Sequence, residues 1–177
     1  MFFSRFPKIG YDINADGNVK VVPDIFRRIK MRDKIKDEVS LLDAYDVNDN
    51  EKPEDVAYKM YGDADYYWVV LMMNQITNRY FDWPLSNQAF ESYVKEKYTN
   101  PAGIHHYEKT QTSGTQTGNG PADFRHCIEV NADEPGATSV SNYEYEQRLQ
   151  DQKRQIKVLN PNYLSAFIKE FDKLVRR

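Results

Sequence analysis

Residues 52 to 85 read KPEDVAYKMYGDADYYWVVLMMNQITNRYFDWPL, and this stretch decides the fold. Pro53 suits the first turn of a helix, where its missing N–H is no loss. Gly62 suits the left-handed residue that ends such a helix, and either aspartate after it can cap a second helix. Residues 66 to 73 of that second helix are all apolar or aromatic. A helix that is apolar all round is buried, and eight residues are too few for the ~20 that span a bilayer. The stretch predicts two short helices, the second enclosed by protein.

The composition sets the class of protein. A chain of 177 residues makes one domain, or one domain with an appendage, and 40% hydrophobic residues permit a core. A mean hydropathy of -0.78 excludes an integral membrane protein. The net charge of -3 gives no general attraction to nucleic acid. The single cysteine excludes an internal disulfide and fits a reducing compartment or a virion assembled in one.

Aromatic residues are the outlier in this composition, with 13 Tyr, 9 Phe and 2 Trp. Tyrosine is enriched where surfaces are half buried, as in contacts between proteins. The candidates for contacts with other proteins are Phe2, Phe3, Phe6, Tyr66, Tyr67, Trp68, Trp83, Phe167 and Phe171.

Residues 1–39 are predicted to form an N-terminal arm and a hairpin. The arm is expected to be extended because Pro7 disfavours helix. The hairpin runs from Tyr11 to Val22, with a two-residue turn inside residues 15 to 18. Residues 27 to 36 contain six basic residues and one acidic residue. This basic strip is either a solvated face or a contact for an acidic partner, and the sequence leaves both open.

Residues 40–100 are predicted to form the helical core, entered by a strand that runs from Val39 to Val47. After the two helices, a loop or short strand leads to Asp82, and Ser86 caps a third helix. Residues 101–140 are predicted to form a β-hairpin insertion with a flexible tip. That tip, residues 110–120, holds only Thr, Gln, Ser, Gly and Asn, so burial cannot offset its ordering entropy. It is either a surface loop or a segment that orders on a partner.

Residues 141–177 are predicted to form a helix, a strand and a second helix. Ser141 and Glu144 have the spacing of a capping box, and the helix that follows is polar apart from a thin stripe of Tyr145 and Leu149. A short strand is expected over residues 156 to 158. Asn160 then caps the last helix, whose apolar stripe includes Phe167 and Phe171.

Two residue groups resemble metal sites. The loop Asp12-x-Asn14-x-Asp16-Gly17 matches the first half of a calcium loop, but Lys20 and Pro23 stand where ligands belong, so a hairpin turn is favoured. A zinc site would need His105, His106, His126 and Cys127 together. Neighbouring residues on a strand point to opposite faces, so ordinary half-buried residues are favoured there.

The sequence carries none of the enzyme motifs that would assign a reaction. There is no nucleophile elbow, phosphate loop or His-Glu-x-x-His pair, and no carboxylate stands in a setting that plainly raises its pKa. The basic strip has no helix-turn-helix, zinc or stacking motif beside it. We therefore predict a protein that is not an enzyme, with no catalytic residues, no cofactor, no metal and no nucleic-acid partner.

The segment from about Ser40 to Asn74 resembles a LysM module, in which a strand leads to a helix, a Tyr-Gly pair and a second helix ending near an asparagine. Tyr61-Gly62 and Leu71-x-x-Asn74 stand close to those places. The departure is the run from Tyr66 to Met72, which is bulkier than a glycan-binding module would carry and suggests packing against protein.

A longer pattern is similar to the small baseplate wedge family of contractile-tailed bacteriophages, called baseplate wedge protein 53. The residues that carry this resemblance are Lys52-Pro53-Glu54-Asp55-Val56-Ala57, Tyr61-Gly62-Asp63, Tyr67-Trp68-Val69-Val70-Leu71, Asn74 and Asp82-Trp83-Pro84. Residues 142–146 and 153–158 also look like that family, whereas the N-terminus and residues 104–135 are less constrained.

The resemblance implies a structural subunit of the virion tail baseplate that bridges other wedge and tail proteins and assembles in the host cytoplasm. The expected fold is α+β, with a small LysM-like βαα core, an extended N-terminal arm, a β-hairpin insertion and C-terminal helices. No membrane partner is expected. The alternatives are a LysM-like module that binds peptidoglycan and a tail-associated muramidase.

Overall fold

The computed structural model describes residues 2–27, 41–110 and 127–176, and the fold is α+β as predicted. The chain divides into two compact units. Unit 1 comprises residues 1–84 and 153–177, and unit 2 comprises residues 85–152. Most of the basic strip, His126 and the predicted tip beyond Thr110 lie outside the described residues. The four-segment division and the LysM-like description stay predictions.

Unit 1 is built from both ends of the chain. Its strands are β1 (Lys8–Tyr11), β2 (Lys20–Pro23), β3 (Leu42–Asp46) and β7 (Gln155–Leu159). Its helices are α1 (Pro53–Tyr61), α2 (Tyr67–Met73), the short α3 (Arg79–Asp82) and α6 (Pro161–Val175).

The N-terminus is not an extended arm. Phe2–Arg5 form a 3-10 turn. The N–H of Phe6, directly after this turn, donates to the carbonyl of Phe3 at 3.3 Å. The ring of Phe2 lies 5.4 Å from the ring of Trp68, centroid to centroid. The prediction of extended backbone was wrong because burial of these rings outweighs the local effect of Pro7.

The N-terminal hairpin is confirmed, but its turn is longer than predicted. β1 and β2 pair antiparallel, with Ile9 opposite Val22 and Tyr11 opposite Lys20. Eight residues therefore connect the strands instead of two. The carboxylate of Asp12 accepts backbone N–H bonds inside this loop, including one of 2.8 Å from Gly17. The side chain of Asp12 therefore holds this loop together through hydrogen bonds to the loop backbone, which a two-residue turn does not require.

The two predicted helices form with the predicted caps. Gly62 ends α1 at a φ of +76°, the left-handed conformation that glycine adopts at no steric cost. The side chain of Asp63 accepts from the N–H of Asp65 at 2.9 Å and caps a 3-10 turn over Ala64–Tyr66, which leads directly into α2. A strand between α2 and Trp83 is absent from the described structure, and α3 lies there instead.

Strands β3 and β7 close unit 1. They pair antiparallel over five residues, with Leu42 opposite Leu159 and Asp46 opposite Gln155. The sequence predicted both strands but not their pairing, which joins segments more than a hundred residues apart. The hydroxyl of Tyr61 also donates to the carbonyl of Leu159 at 3.1 Å. The C-terminal segment thereby completes the sheet beside α1 and α2.

Helix α2 lies between two apolar clusters. On one side Trp68, Val69 and Met73 pack with residues of α6, and the Trp68 and Phe171 rings are 4.5 Å apart. On the other side Val70 packs with Trp83 and with the β7 side chains. The helix is enclosed by its own chain at these positions, whereas Tyr66, Tyr67, Leu71 and Met72 are half-buried.

The side chain of Asn74 fastens the end of α2 to β7. Its amide donates to the carbonyl of Val70 at 2.8 Å and to that of Lys157 at 2.7 Å. Its oxygen accepts the N–H of Lys157 at 2.8 Å. One asparagine therefore satisfies both main-chain groups of a strand residue, which fixes the register of β7 against the helix.

Unit 2 contains a helix, a three-stranded sheet and most of a second helix. Its elements are α4 (Asn87–Lys97), β4 (Ile104–Thr110), β5 (Cys127–Val130), β6 (Thr138–Ser141) and α5 (Asn142–Arg154), the end of which enters unit 1. β4 is central and pairs antiparallel with β5, as predicted, and with β6, which the sequence did not reveal. Ser86 and Ser141 accept from backbone N–H groups at the predicted starts of α4 and α5.

The face of α5 that unit 2 buries is not the predicted apolar stripe. The fully buried residues of α5 are Glu146 and Gln150, whereas Tyr145 and Leu149 are half-buried. Helical spacing alone could not show this, because a polar residue is buried when partners satisfy it. The amide oxygen of Gln150 accepts the N–H of Leu85 at 3.0 Å.

Replacing Trp68 by Ala should lower the free energy of unfolding of unit 1 by about 3–5 kcal/mol, because the side chain is only 4% exposed and contacts several rings. Urea unfolding should be followed by the fluorescence of Trp83, the other tryptophan and also a residue of unit 1. Phe3→Ala, at a side chain 50% exposed, is the control and should shift the midpoint far less. Equal urea midpoints for Trp68→Ala and Phe3→Ala would contradict the assignment of Trp68 to the core of unit 1.

Replacing Asn74 by Ala should destabilise unit 1 by about 1–3 kcal/mol, because three hydrogen bonds are lost at once. Lys157→Ala is the matched control, since Lys157 takes part only through its main chain. Tryptophan fluorescence in urea measures both. If Lys157→Ala lowers the free energy of unfolding as much as Asn74→Ala does, the hydrogen bonds of the Asn74 side chain contribute nothing specific to stability.

Candidate assembly surfaces

The predicted contact residues fall into three groups by burial. Phe6, Trp68, Trp83 and Phe171 are buried within unit 1. Phe2, Tyr66, Tyr67 and Phe167 are half-buried, and Phe3 is exposed. The structure brings Phe2, Phe3, Phe6, Trp68, Phe167 and Phe171 together in one aromatic cluster. Their contact with another protein stays a prediction.

A charged group fixes the rim of that aromatic cluster. The guanidinium of Arg5 lies 5.7 Å from the Trp68 ring centroid and donates to both oxygens of Asp172 at 2.9 Å. This pair holds the N-terminal turn on α6 and places the guanidinium over the tryptophan ring. The cluster is therefore a closed core feature, of which Phe3 is the exposed part.

Trp83 lies apart from the cluster and organises a buried carboxylate. Its indole N–H donates to the carbonyl of Glu51 at 2.8 Å. The Glu51 carboxylate accepts from the hydroxyl of Tyr45 at 2.8 Å and from the ammonium of Lys59 at 2.5 Å. Burial opposes ionisation of Glu51, but hydrogen bonds from Lys59, the Asn48 amide and Tyr45 outweigh it, so its pKa is lowered.

Unit 2 has a second buried carboxylate. Glu146 is 2% exposed, and one of its oxygens accepts from Lys97 at 2.7 Å and from the Tyr98 hydroxyl at 2.8 Å. Burial works against ionisation, yet the bonds from Lys97 and Tyr98 lower the pKa of Glu146 on balance. The same bond raises the pKa of Lys97. Neither buried glutamate was a sequence candidate, because a glutamate in a polar segment resembles solvated charge.

The shifted carboxyl groups do not have the pKa that a glycosidase acid needs. The described carboxyl groups with a shifted pKa are Asp12, Glu51, Glu108 and Glu146, and all four shifts are downward. A glycosidase acid needs a raised pKa to hold its proton at neutral pH. Arg148 binds both oxygens of Glu108 at 2.8 and 2.9 Å, which gives that group a structural role. These four groups give no support to the muramidase alternative.

The candidate metal residues do not assemble as a zinc site would require. His105 and His106 lie near the start of β4, and their ring Nδ1 atoms are 2.9 Å apart. Cys127 pairs with Thr110 at the opposite end of that strand. Among the residues that the structure describes, no group of three or more His, Cys, Asp or Glu could hold a metal ion. None of the described helices is long and apolar enough to cross a membrane.

Two exposed aromatic residues, Tyr80 and Phe81, were not predicted from the sequence. They lie next to each other in α3 and are 80% and 73% exposed. The side chain of Asn78 accepts the N–H of Tyr80 at 3.1 Å, and Asp82 accepts the N–H of Asn78 at 3.0 Å. Adjacent side chains point about 100° apart around a helix, so a four-residue helix that packs on one side seldom buries two neighbouring rings, which is the signal that sequence reasoning could have used.

The backbone under these two rings is fixed from outside α3 as well. Arg79 donates to Glu54 of α1 at 2.7 Å, and Lys153 donates to the carbonyl of Phe81 at 2.7 Å. The two rings therefore project from a short segment that is held at both ends. Exposed aromatics on a preorganised backbone are typical of residues that dominate protein interfaces.

Comparison with known proteins agrees with the resemblance. The family model described as base plate wedge protein 53 matches residues 1–113, which is more than half of the chain. The chain belongs to the base plate wedge protein 53 family. The match includes the N-terminal 39 residues, on which the resemblance did not rest, and it ends before the C-terminal motifs at residues 142–146 and 153–158.

One curated member of the base plate wedge protein 53 family is similar over part of its length. The baseplate wedge protein gp53 of Enterobacteria phage T4 is 31% identical over 106 residues. The aligned part covers 58% of this chain and 54% of the T4 protein. The chain thus matches about half the length of that relative. The family match contains α1, α2, α3 and the N-terminal hairpin, but not β7 or α6.

The buried carboxylates predict how stability depends on pH. Because the folded pKa of Glu146 lies below its ordinary value of 4.5, its contribution is present above that pH and is lost as the pH falls through the folded value. Glu146→Gln should destabilise unit 2 by about 1–3 kcal/mol at pH 7 and flatten its decline in acid. Hydrogen exchange of the α4 amides, corrected for intrinsic rates, measures this.

Glu144→Gln is the control for Glu146→Gln, since Glu144 is half-buried on the same helix and bonds only to Arg148 at 2.6 Å among the contacts described. It should leave the acid decline close to that of the wild-type chain. An unchanged acid decline in Glu146→Gln would contradict the role assigned to this group.

Proposed function

We propose that this protein is a structural subunit of a phage tail baseplate wedge and that it bridges neighbouring baseplate proteins during assembly of a contractile tail. Its membership of the base plate wedge protein 53 family supports the baseplate role. The bridging role is supported by apolar surface that the folded chain leaves uncovered at more than one described place, namely α3 and the N-terminal hairpin.

The observation that carries the proposal is the pair Tyr80 and Phe81. Large apolar side chains at this exposure are unfavourable in water, whereas burying two such rings at an interface yields several kcal/mol. The bonds from Arg79 and Lys153 order the segment before any partner arrives, so less conformational entropy is lost on binding. A surface built in this way suits stable assembly better than turnover.

The proposed partners are other wedge and tail proteins in the virion tail baseplate, joined in the host cytoplasm. No membrane or nucleic-acid partner is part of the proposal. A non-enzymatic role fits the two buried glutamates, each of which accepts a hydrogen bond from a lysine of its own unit. Peptidoglycan binding through the LysM-like segment is the competing function, and it requires affinity for glycan without protein partners.

A pull-down of the tagged chain from phage-infected cells tests the proposal, with partners identified by mass and purified peptidoglycan as a parallel bait. Recovery of tail proteins in stoichiometric amounts is expected. Retention on peptidoglycan with no protein partner would overturn the wedge role and assign a glycan-binding module.

Replacing both Tyr80 and Phe81 by Ala should leave unit 1 folded and reduce incorporation into tails by at least about tenfold, since an interface aromatic contributes roughly 2 kcal/mol or more. The measurement is the ratio of variant to wild-type chain in purified tails after co-expression. Tyr58→Ala, at another exposed tyrosine on α1, is the control and should keep a ratio near one. If the ratio of the double variant to the wild-type chain is also near one, α3 is not part of the interface.

A further inference from the structure

Two neighbouring histidines of β4 approach the same tyrosine of α5. The pairing of β4 with β6 shifts its register between Ile104 and His106, which makes His105 a bulge residue. In a regular strand the two side chains would point to opposite faces. Here the His105 ring stacks on the Tyr145 ring with centroids 3.9 Å apart, and the His106 ring meets it edge-on at 5.9 Å. The bulge therefore brings both rings into one cluster.

A hydrogen bond joins the two histidine rings. Nδ1 of His105 and Nδ1 of His106 are 2.9 Å apart. One of these nitrogens has to donate and the other has to accept, so the bond requires a single hydrogen between them. A neutral pair meets this condition, and so does a pair with one added proton. A doubly protonated pair does not, because each ring then presents an N–H group to the other.

The charged groups beside the pair favour one positive charge. Nε2 of His106 lies 3.9 Å from a carboxylate oxygen of Glu108 on the same strand. Arg148 of α5 binds both oxygens of Glu108 and donates to Glu144 at 2.6 Å. Two carboxylates thus share one guanidinium, which leaves a negative charge for a protonated histidine to balance. The guanidinium also holds the pKa of Glu108 below its ordinary value of 4.5, so this carboxylate stays ionised while histidines titrate.

The strands on either side of β4 add no cation to this cluster. On β6, Val140 and Ser141 stand opposite this part of β4, and neither carries a charge. On β5, Glu129 stands opposite Glu108 with an exposed side chain, so water screens its charge. Lys109 lies on the other face of β4 and pairs with a glutamate outside the cluster. The two histidines are therefore the groups of this cluster that change charge near neutral pH.

Two successive protons act on this contact in opposite directions. The first keeps the shared hydrogen bond and balances the negative charge beside it, so its uptake by the folded chain stabilises unit 2 as the pH falls. The second has to break that bond and place two cations side by side, so it destabilises unit 2 as the pH falls further. Histidine changes charge between about pH 5 and 8. This range lies above the pH at which the buried Glu146 takes up its proton.

We propose that His105, His106 and Tyr145 form a pH-sensitive contact, which holds β4 on α5 while the two histidines share a hydrogen bond and opens when both are protonated. Opening releases the bulge of β4 from the first turns of α5 and leaves the ion pair of Glu108 with Arg148 in place. The inference concerns unit 2 alone and does not rest on the proposed wedge function.

The ring nitrogens of the full wild-type chain test the hydrogen bond directly. Nitrogen-15 NMR at about pH 8, the upper end of the histidine range, distinguishes a ring nitrogen that carries hydrogen from one that does not. We expect one of the two histidines to carry its hydrogen on Nδ1 and the other to carry it on Nε2. The same tautomer in both rings would overturn the inference, because the bond needs one donor and one acceptor.

The pH dependence of hydrogen exchange tests the opening. Exchange of the β4 amides is measured from about pH 8 to 5 and corrected for intrinsic rates. Protection of the wild-type chain should rise to a maximum and then fall by about tenfold, since a charge-assisted bond is made and then lost. His105→Phe keeps a ring against Tyr145 but can neither bond nor titrate, so its protection should not fall at the acid end. His126→Phe removes the remaining histidine of the chain and should keep the wild-type profile.

Three results of the exchange measurement would overturn the inference. They are a wild-type profile without a maximum, the same maximum in His105→Phe, and loss of the maximum in His126→Phe. The NMR measurement requires no substitution, so it decides whether the hydrogen bond exists even where a variant fails to fold.

Discussion

Unit 1 depends on the antiparallel pairing of β3 with β7. β3 comes before the two central helices, and β7 comes after the whole of unit 2, so their pairing closes a loop of more than a hundred residues. That closure costs chain entropy, which grows only slowly with loop length. Burial of Trp68 against Phe171 and the bonds of Asn74 to Lys157 offset it. The family match ends at residue 113, so this closure uses segments beyond the matched part.

The two buried glutamates of the described residues are paired with cations, whereas several large apolar side chains are exposed. Glu51 and Glu146 are buried with cations and hydroxyls around them, which fixes the local geometry of each glutamate. By contrast, Tyr80, Phe81 and Val21 are ordered by their backbones and exposed as side chains. Buried charges that are paired, together with exposed apolar side chains on an ordered backbone, suit a subunit that assembles with other proteins.

Local signals predicted much of the fold. Gly62, Ser86 and Ser141 ended or began helices where their conformations and side chains indicated, because caps depend on neighbouring residues alone. The 3-10 turn at the N-terminus, the partner of β7 and strand β6 were missed, because each depends on residues distant in sequence. Of the candidate contact residues, the buried ones, such as Trp68, had the same apolar signature as exposed ones. Hydrophobicity indicates that a residue is buried, but it does not show whether this chain or another protein buries it.

The most direct measurement of the closure is the tryptophan emission of a chain that ends at Gln152 and so lacks β7 and α6. Trp68 would lose Phe171, and Trp83 would lose the β7 side chains in its cluster. The account predicts red-shifted emission from both tryptophans and no cooperative urea transition for unit 1. Blue-shifted emission with a cooperative transition like that of the full chain would contradict it, because unit 1 would then close without its C-terminal strand.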